Sequence, residues 1–214
     1  MSSPISREVP ARHSAQAGHS PVAPEPSWNG QETRPTSGPD HDRIAELLSL
    51  ASAGDADAFA AAYDTLAPHV WALTQAVVRD RDLAKAATQQ AFEDMWQTAP
   101  NCPPNPGAAT AWAMGIAVRR AARTAAETAE RDDLPEGPGK PVAGIQPGAG
   151  ERVRRALLTL PARQRDCVLL TCYGRLALGQ VAQVLDAPQQ EAAVLLRDGL
   201  ERLRDLLAVG AHRD

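Results

Sequence analysis

The sequence predicts an all-α protein: two small helical domains joined by a flexible linker, the C-terminal one ending in a helix-turn-helix. Three observations carry that prediction. The 214 residues include 41 Ala and 21 Leu against 13 Val and 4 Ile, so helix formers far outnumber the β-branched residues that sheets favour. Of the 18 prolines, seven fall in residues 1–40, four in 100–106 and four in 131–150, and proline breaks helix interiors. Between those clusters apolar residues recur at spacings of three and four, the signature of one helix face.

The elements follow in order. Residues 1–40 are rich in Pro, Ser, Gly and Gln and offer too little apolar surface to offset their ordering entropy, so a disordered tail is expected there. Residues 41–130 read as a first domain of four helices. HDRIAELLSLASAG forms the first, with Asp42 as its N-cap and Gly54 as its stop. The second enters at Asp55, carries Phe59, Tyr63, Leu66, Val70, Leu73 and Val77 on one face, and is expected to be interrupted at Pro68. In the third, Leu83, Ala87, Ala91 and Met95 make the buried stripe, joined by Phe92 and Trp96. GAATAWAMGIAVRRAARTAAETAE makes the fourth, after the loop PNCPPNPG.

Residues 131–150 hold four Pro and five Gly and read as the flexible linker. Residues 151–209 read as a second domain of four shorter helices. ERVRRALLTL is ended by Pro161, PARQRDCVLLTCYG by Gly174, and LALGQVAQVLD and PQQEAAVLLRDGLERLRDLL are joined by a tight turn at 186–188, the helix-turn-helix pattern. Leu196, Leu200, Leu203 and Leu207 are expected to form the seam of the last helix.

Charge and chemistry narrow the function classes. Residues 41–130 carry seven basic and eleven acidic groups, whereas residues 151–214 carry ten basic and eight acidic ones. No run of about 18 apolar residues exists, so no membrane insertion is expected, nor is a secretory signal. Cys102, Cys167 and Cys172 form no CxxC pair, which favours a reducing, cytoplasmic setting and no metal site. No Ser-His-Asp, paired-carboxylate or glycine-rich phosphate constellation is present, so neither an enzyme nor a bound cofactor is expected. Arg119, Arg120 and Arg123 cluster on one helix, an arrangement suited to phosphate contact.

Four stretches in order resemble the extracytoplasmic-function (ECF) class of sigma-70 family RNA polymerase sigma factors. GDADAFAAAYDTLAPHVWALTQAVVRD resembles the opening helices of that family's first domain, and TQQAFEDMW the helix that docks on core polymerase. GAATAWAMGIAVRRAA resembles the helix that meets the −10 promoter element. ALLTLPARQRDCVLLTCYGRLALGQVAQVL resembles the start of the −35-reading domain. The resemblance covers about residues 43–207. It implies core RNA polymerase and promoter DNA as partners, with an anti-sigma factor that sequesters the chain until a signal arrives.

Carried onto this sequence, the resemblance places core-polymerase contacts at Gln89, Gln90, Glu93 and Asp94. It places −10 DNA contacts at Asn105, Arg119, Arg120 and Arg123. It places −35 DNA contacts at Arg175, Gln180, Gln189, Gln190, Glu191 and Arg197. Two departures stand out. Thr124, Ala125, Ala126 and Glu127 follow the arginines where relatives continue with basic residues, and Glu191-Ala192-Ala193-Val194-Leu195 replaces a Thr-Val-Lys-Ser-Arg-like stretch. They open an alternative: a degenerate sigma-like protein that binds polymerase or an anti-sigma factor without robust promoter recognition. Asp186 occupies the turn position where relatives often place Gly, and Asp tolerates the left-handed backbone that such a turn needs.

Overall fold

The computed structural model describes residues 40–132 and 148–211, all of it helix and connecting turn. The expected tail and all but the edges of the expected linker lie outside the described residues. Four helices precede the gap: α1 (His41–Ser52), α2 (Ala56–Val77), α3 (Arg81–Thr98) and α4 (Pro106–Asp132), with a 3₁₀ turn at Ala99–Asn101. Four follow it: α5 (Ala149–Thr159), α6 (Ala162–Cys172), α7 (Leu178–Val184) and α8 (Gln189–Ala211).

Aspartates start the first three helices. Asp40, Asp55 and Asp80 each accept a bond from a backbone N–H two or three residues on, which satisfies donors the helix cannot. The cap of α1 is therefore Asp40, not Asp42; Asp42 lies inside the first turn, where its charge complements the helix dipole. Gly54 ends the α1 segment with φ +93°, a conformation glycine adopts without steric cost.

α2 is not interrupted at Pro68. It runs unbroken for 22 residues, although proline removes one N–H and crowds the preceding turn. Leu66, Ala67, Val70, Leu73 and Val77 are all buried on both sides of Pro68, and this packing holds the rod together across the defect.

The first four helices enclose Ile44, Leu48, Leu66, Leu73, Phe92, Met95 and Met114. Tyr63 and Phe92 pack with ring centroids 4.3 Å apart, and Phe59 and Trp96 at 5.0 Å, both tilted. In the second group Leu157, Leu169, Leu170 and Val181 are buried around Cys167. The seam of α8 is shifted from the leucine pattern. Ala192 and Gly199 are buried and Leu196 and Leu203 partly so, whereas Leu200 is 43% exposed. At Gly199 an added Cβ would stand 3.1 Å from Val168 Cγ2 of α6. Small residues let α8 lie close against α6 and turn Leu200 outward.

The two groups abut. α6 and α7 pack on α4, and α5 and α6 pack on α2, so buried apolar side chains run from one group into the other.

Candidate nucleic-acid interface

Trp112, Ile116, Arg119, Arg120 and Arg123 recur at helical spacing and lie along one side of α4. With Asp94 and Thr98 of α3 and Asn101 of the following turn they line a cleft of about 310 Å³. Arg119 and Arg123 are exposed. Arg120 is different: its Nε donates to Asp94 Oδ2 at 3.0 Å, and its Nη2 makes a second bond to the same oxygen. Asp94, read as a polymerase contact, and Arg120, read as a DNA contact, are thus joined across the α3–α4 groove. Of the remaining α3 residues, Gln90 and Glu93 are exposed and Gln89 is half-buried.

Asn105 does not face the cleft as a free amide. Its Oδ1 accepts the Ala108 N–H at 2.8 Å and caps α4. Trp112 and Thr98 were not singled out from the sequence, yet Trp112 sits seven residues before Arg119, on the same helix face, and that spacing was the available signal.

The second surface assigned to DNA is the helix-turn-helix of α7 and α8. Its turn holds Asp186 at φ +47°, the left-handed conformation expected of that position. Arg175 also has positive φ, +57°, directly after Gly174, where any Cβ would stand 2.6 Å from the Leu170 carbonyl oxygen. Gln189, Gln190 and Glu191 are exposed on the first turn of α8. Glu191 is held by Arg163 at 2.8 Å, and Arg163 also donates to the Leu185 carbonyl at 3.2 Å. Arg197 is exposed and bonded to its neighbour Asp198 at 3.1 Å. Gln180 is engaged at both ends: its Oε1 accepts the Ala177 N–H at 2.7 Å, and its Nε2 donates to the Gly107 carbonyl at 3.0 Å. It caps α7 and bridges to the first turn of α4.

Electrostatics separate these surfaces from the interior. Burial pushes the Cys102 and Cys167 thiols up to about 11, so both stay protonated and unreactive at neutral pH. Burial lowers the pKa of His69 on α2; a hydrogen bond with the Tyr173 backbone opposes the shift, and the Arg175 charge adds to it. Burial raises the Asp166 carboxyl on α6, against the pull of Arg165 and Arg119. Among the described residues no helix is long and apolar enough to cross a membrane, and no group of His, Cys, Asp and Glu could hold a metal ion.

Comparison with known proteins gives this arrangement a family. Residues 156–205, from α5 to α8, match the model of sigma-70 region 4. The ECF RNA polymerase sigma factor SigK of Mycolicibacterium vanbaalenii is 32% identical over 173 residues, which is 76% of this chain and 88% of that protein. SigK of Mycobacterium ulcerans is 31% identical over 180 residues, 78% of this chain and 94% of that one. Among solved structures, CnrH in complex with the cytosolic domain of CnrY has the same fold, with a TM-score of 0.61 at 18% identity over 79% of this chain and 99% of that chain. Relatives that match both helical groups over most of their own length favour the sigma-factor reading over the degenerate alternative. The chain belongs to the ECF class of RNA polymerase sigma factors in the sigma-70 family.

Proposed function

We propose that this sigma factor aims core polymerase by dividing promoter contact between two helices, α4 holding the −10 element and the first turn of α8 reading the −35 element. The observation that carries the reading is the cleft between α3 and α4, where three guanidinium groups, an indole and a carboxamide converge. Guanidinium groups suit phosphate, and an indole beside a carboxamide suits an unpaired base, by stacking and by edge hydrogen bonds. Arg119 and Arg123 are the phosphate contacts in this scheme. Arg120 acts through Asp94 as a positioning residue, and Asn105 serves as the helix cap. On α8, Gln189 and Gln190 offer amides that pair with adenine, and Arg197 meets phosphate. Arg175 is a further cation in this scheme. The tie between Glu191 and Arg163 mutes a charge that would otherwise repel the DNA backbone.

Core polymerase meets the exposed Gln90 and Glu93 face of α3, with Gln89 at its edge. An anti-sigma factor belongs to the same proposal; the structure of CnrH with the cytosolic domain of a second protein supports it. The chain itself performs no covalent chemistry in this scheme.

Run-off transcription with purified core polymerase on selected promoters tests the reading. Wild type is expected to initiate at defined sites. Arg119→Ala with Arg123→Ala is expected to weaken promoter binding and to reduce its salt dependence by about one unit of log–log slope per arginine. Polymerase binding without initiation on any promoter would instead support the degenerate interaction protein.

A further inference from the structure

Glu191 is the acidic side chain in the first turn of α8, and it stands exposed yet fixed. Arg163, in the first turn of α6, reaches across the helix-turn-helix. Its Nη1 donates to Glu191 Oε1 at 2.8 Å and its Nη2 to the Leu185 carbonyl at 3.2 Å. Leu185 is the C-cap of α7, so that carbonyl has no partner within its own helix. One guanidinium therefore ties together α6, the turn and the start of α8. The backbone beside Glu191 is held as well. Ala192 is wholly buried, its N–H donates to the Pro188 carbonyl at 3.1 Å, and its carbonyl accepts the Cys167 Sγ–H at 3.4 Å. An exposed ion pair adds little to folding stability, so the clamp contributes direction instead. It occupies Oε1 and leaves Oε2, which accepts no hydrogen bond from the described residues.

We propose that Glu191 determines base preference, its Oε2 accepting the 4-amino N–H of one cytosine in the major groove of the −35 element, and that Arg163 is the positioning residue that aims it. The proposal rests on the promoter role assigned to α8 above. The base edges select cytosine. A carboxylate can only accept. Guanine presents two acceptors in the major groove, thymine an acceptor and a methyl group, and adenine an amino group beside the N7 acceptor. Cytosine alone offers an amino donor with no acceptor next to it on the same base. Arg163 also makes the carboxylate compatible with DNA: the pair carries no net charge, whereas a lone glutamate would be repelled by the phosphates on either side of the groove. Gln189 and Gln190, exposed on the same turn, have no part in this contact, so the bases they meet serve as an internal control.

The test uses the full chain with core polymerase and promoters that share one −10 element and carry a randomised −35 window, with the bound DNA sequenced. Wild type is expected to enrich cytosine at one position by about ten-fold over the other bases. Glu191→Gln keeps an oxygen for Arg163 and turns an amide N–H outward. Enrichment at that position is therefore expected to move to a purine, whose N7 accepts, while the rest of the window stays unchanged. Arg163→Met is expected to flatten the cytosine preference to about two-fold or less, and Arg163→Lys to restore part of it. Thermal melts of all three variants are expected to match wild type, because the pair is exposed. Cytosine enriched equally by wild type and Glu191→Gln, or a base other than cytosine preferred by wild type wherever Glu191→Gln changes the profile, would overturn the proposal. An undiminished preference in Arg163→Met would overturn the positioning role. A wild-type window with no enrichment, on a chain that still binds core polymerase, overturns the −35 placement of α8 and the proposal with it; an enriched window shared by every variant overturns the proposal alone.

Discussion

At the scale of single residues, hydrogen-bond partners decide which polar groups face outward. Asp94 and Arg120 show it best: the pair is only partly exposed, 35% and 19% of each side chain, so neither charge is fully screened by water. Asp94→Asn is expected to destabilise the chain by about 1 kcal/mol and to weaken −10 oligonucleotide binding, because Arg120 loses its anchor beside the cleft. Urea denaturation and fluorescence titration measure the two effects; a variant unchanged in both would remove Arg120 from a positioning role. His69 gives a pH prediction. Its folded pKa lies below the ordinary 6.5, so it stays neutral when folded while the unfolded chain takes up a proton. Its contribution is intact above about pH 6.5 and is lost as the pH falls below that value towards the folded pKa. Thermal melts at pH 7.5 and 5.5 should show a drop in Tm that is smaller in His69→Gln; an equal drop would clear His69 of the effect. That Arg119 and Arg123 share a face of α4 was legible in the sequence, because their i, i+4 spacing sets it. The engagement of Asn105 and Gln180 as caps was not, since it depends on where neighbouring backbone groups point after folding.

At the scale of elements, glycine and aspartate set the geometry of the helix-turn-helix. Gly199→Leu is expected to cost about 1–3 kcal/mol, because the new side chain meets Val168 Cγ2 and the Gln164 carbonyl where α8 crosses α6. Leu200→Gln, one residue on but 43% exposed, is expected to change stability by no more than about 0.5 kcal/mol. Chemical denaturation of both variants checks the pair, and the reverse order would return Leu200 to the seam. Asp186→Val should cost about 1–2 kcal/mol, since a β-branched residue resists φ +47°. The turn was readable from Asp186 and Pro188 because its chemistry is local. The seam of α8 was misread because leucines outshine Ala192 and Gly199 in any hydrophobic pattern, although it is the small residues that touch. Pro68 was misread for a related reason: a local penalty marked a break that burial on both sides of it overrides.

At the scale of the whole molecule, the helical class followed from composition and the helix order from proline placement, but the contact between the two groups did not. Nothing in the local pattern of α4 or α7 announces that Val184 will rest on Gly115, because that pairing exists only in three dimensions. The thiols show the same dependence on the folded state, and here it has a practical use. Cys167 is buried and Cys102 half-buried, both held protonated, while Cys172 stands exposed at the C-terminal end of α6. A maleimide dye at neutral pH should therefore label the native protein once, at Cys172, as read by intact mass and peptide mapping; two dyes per chain would contradict the burial of its companions. The wild-type polypeptide thus comes with its own handle for fluorescence, beside the joint between its halves.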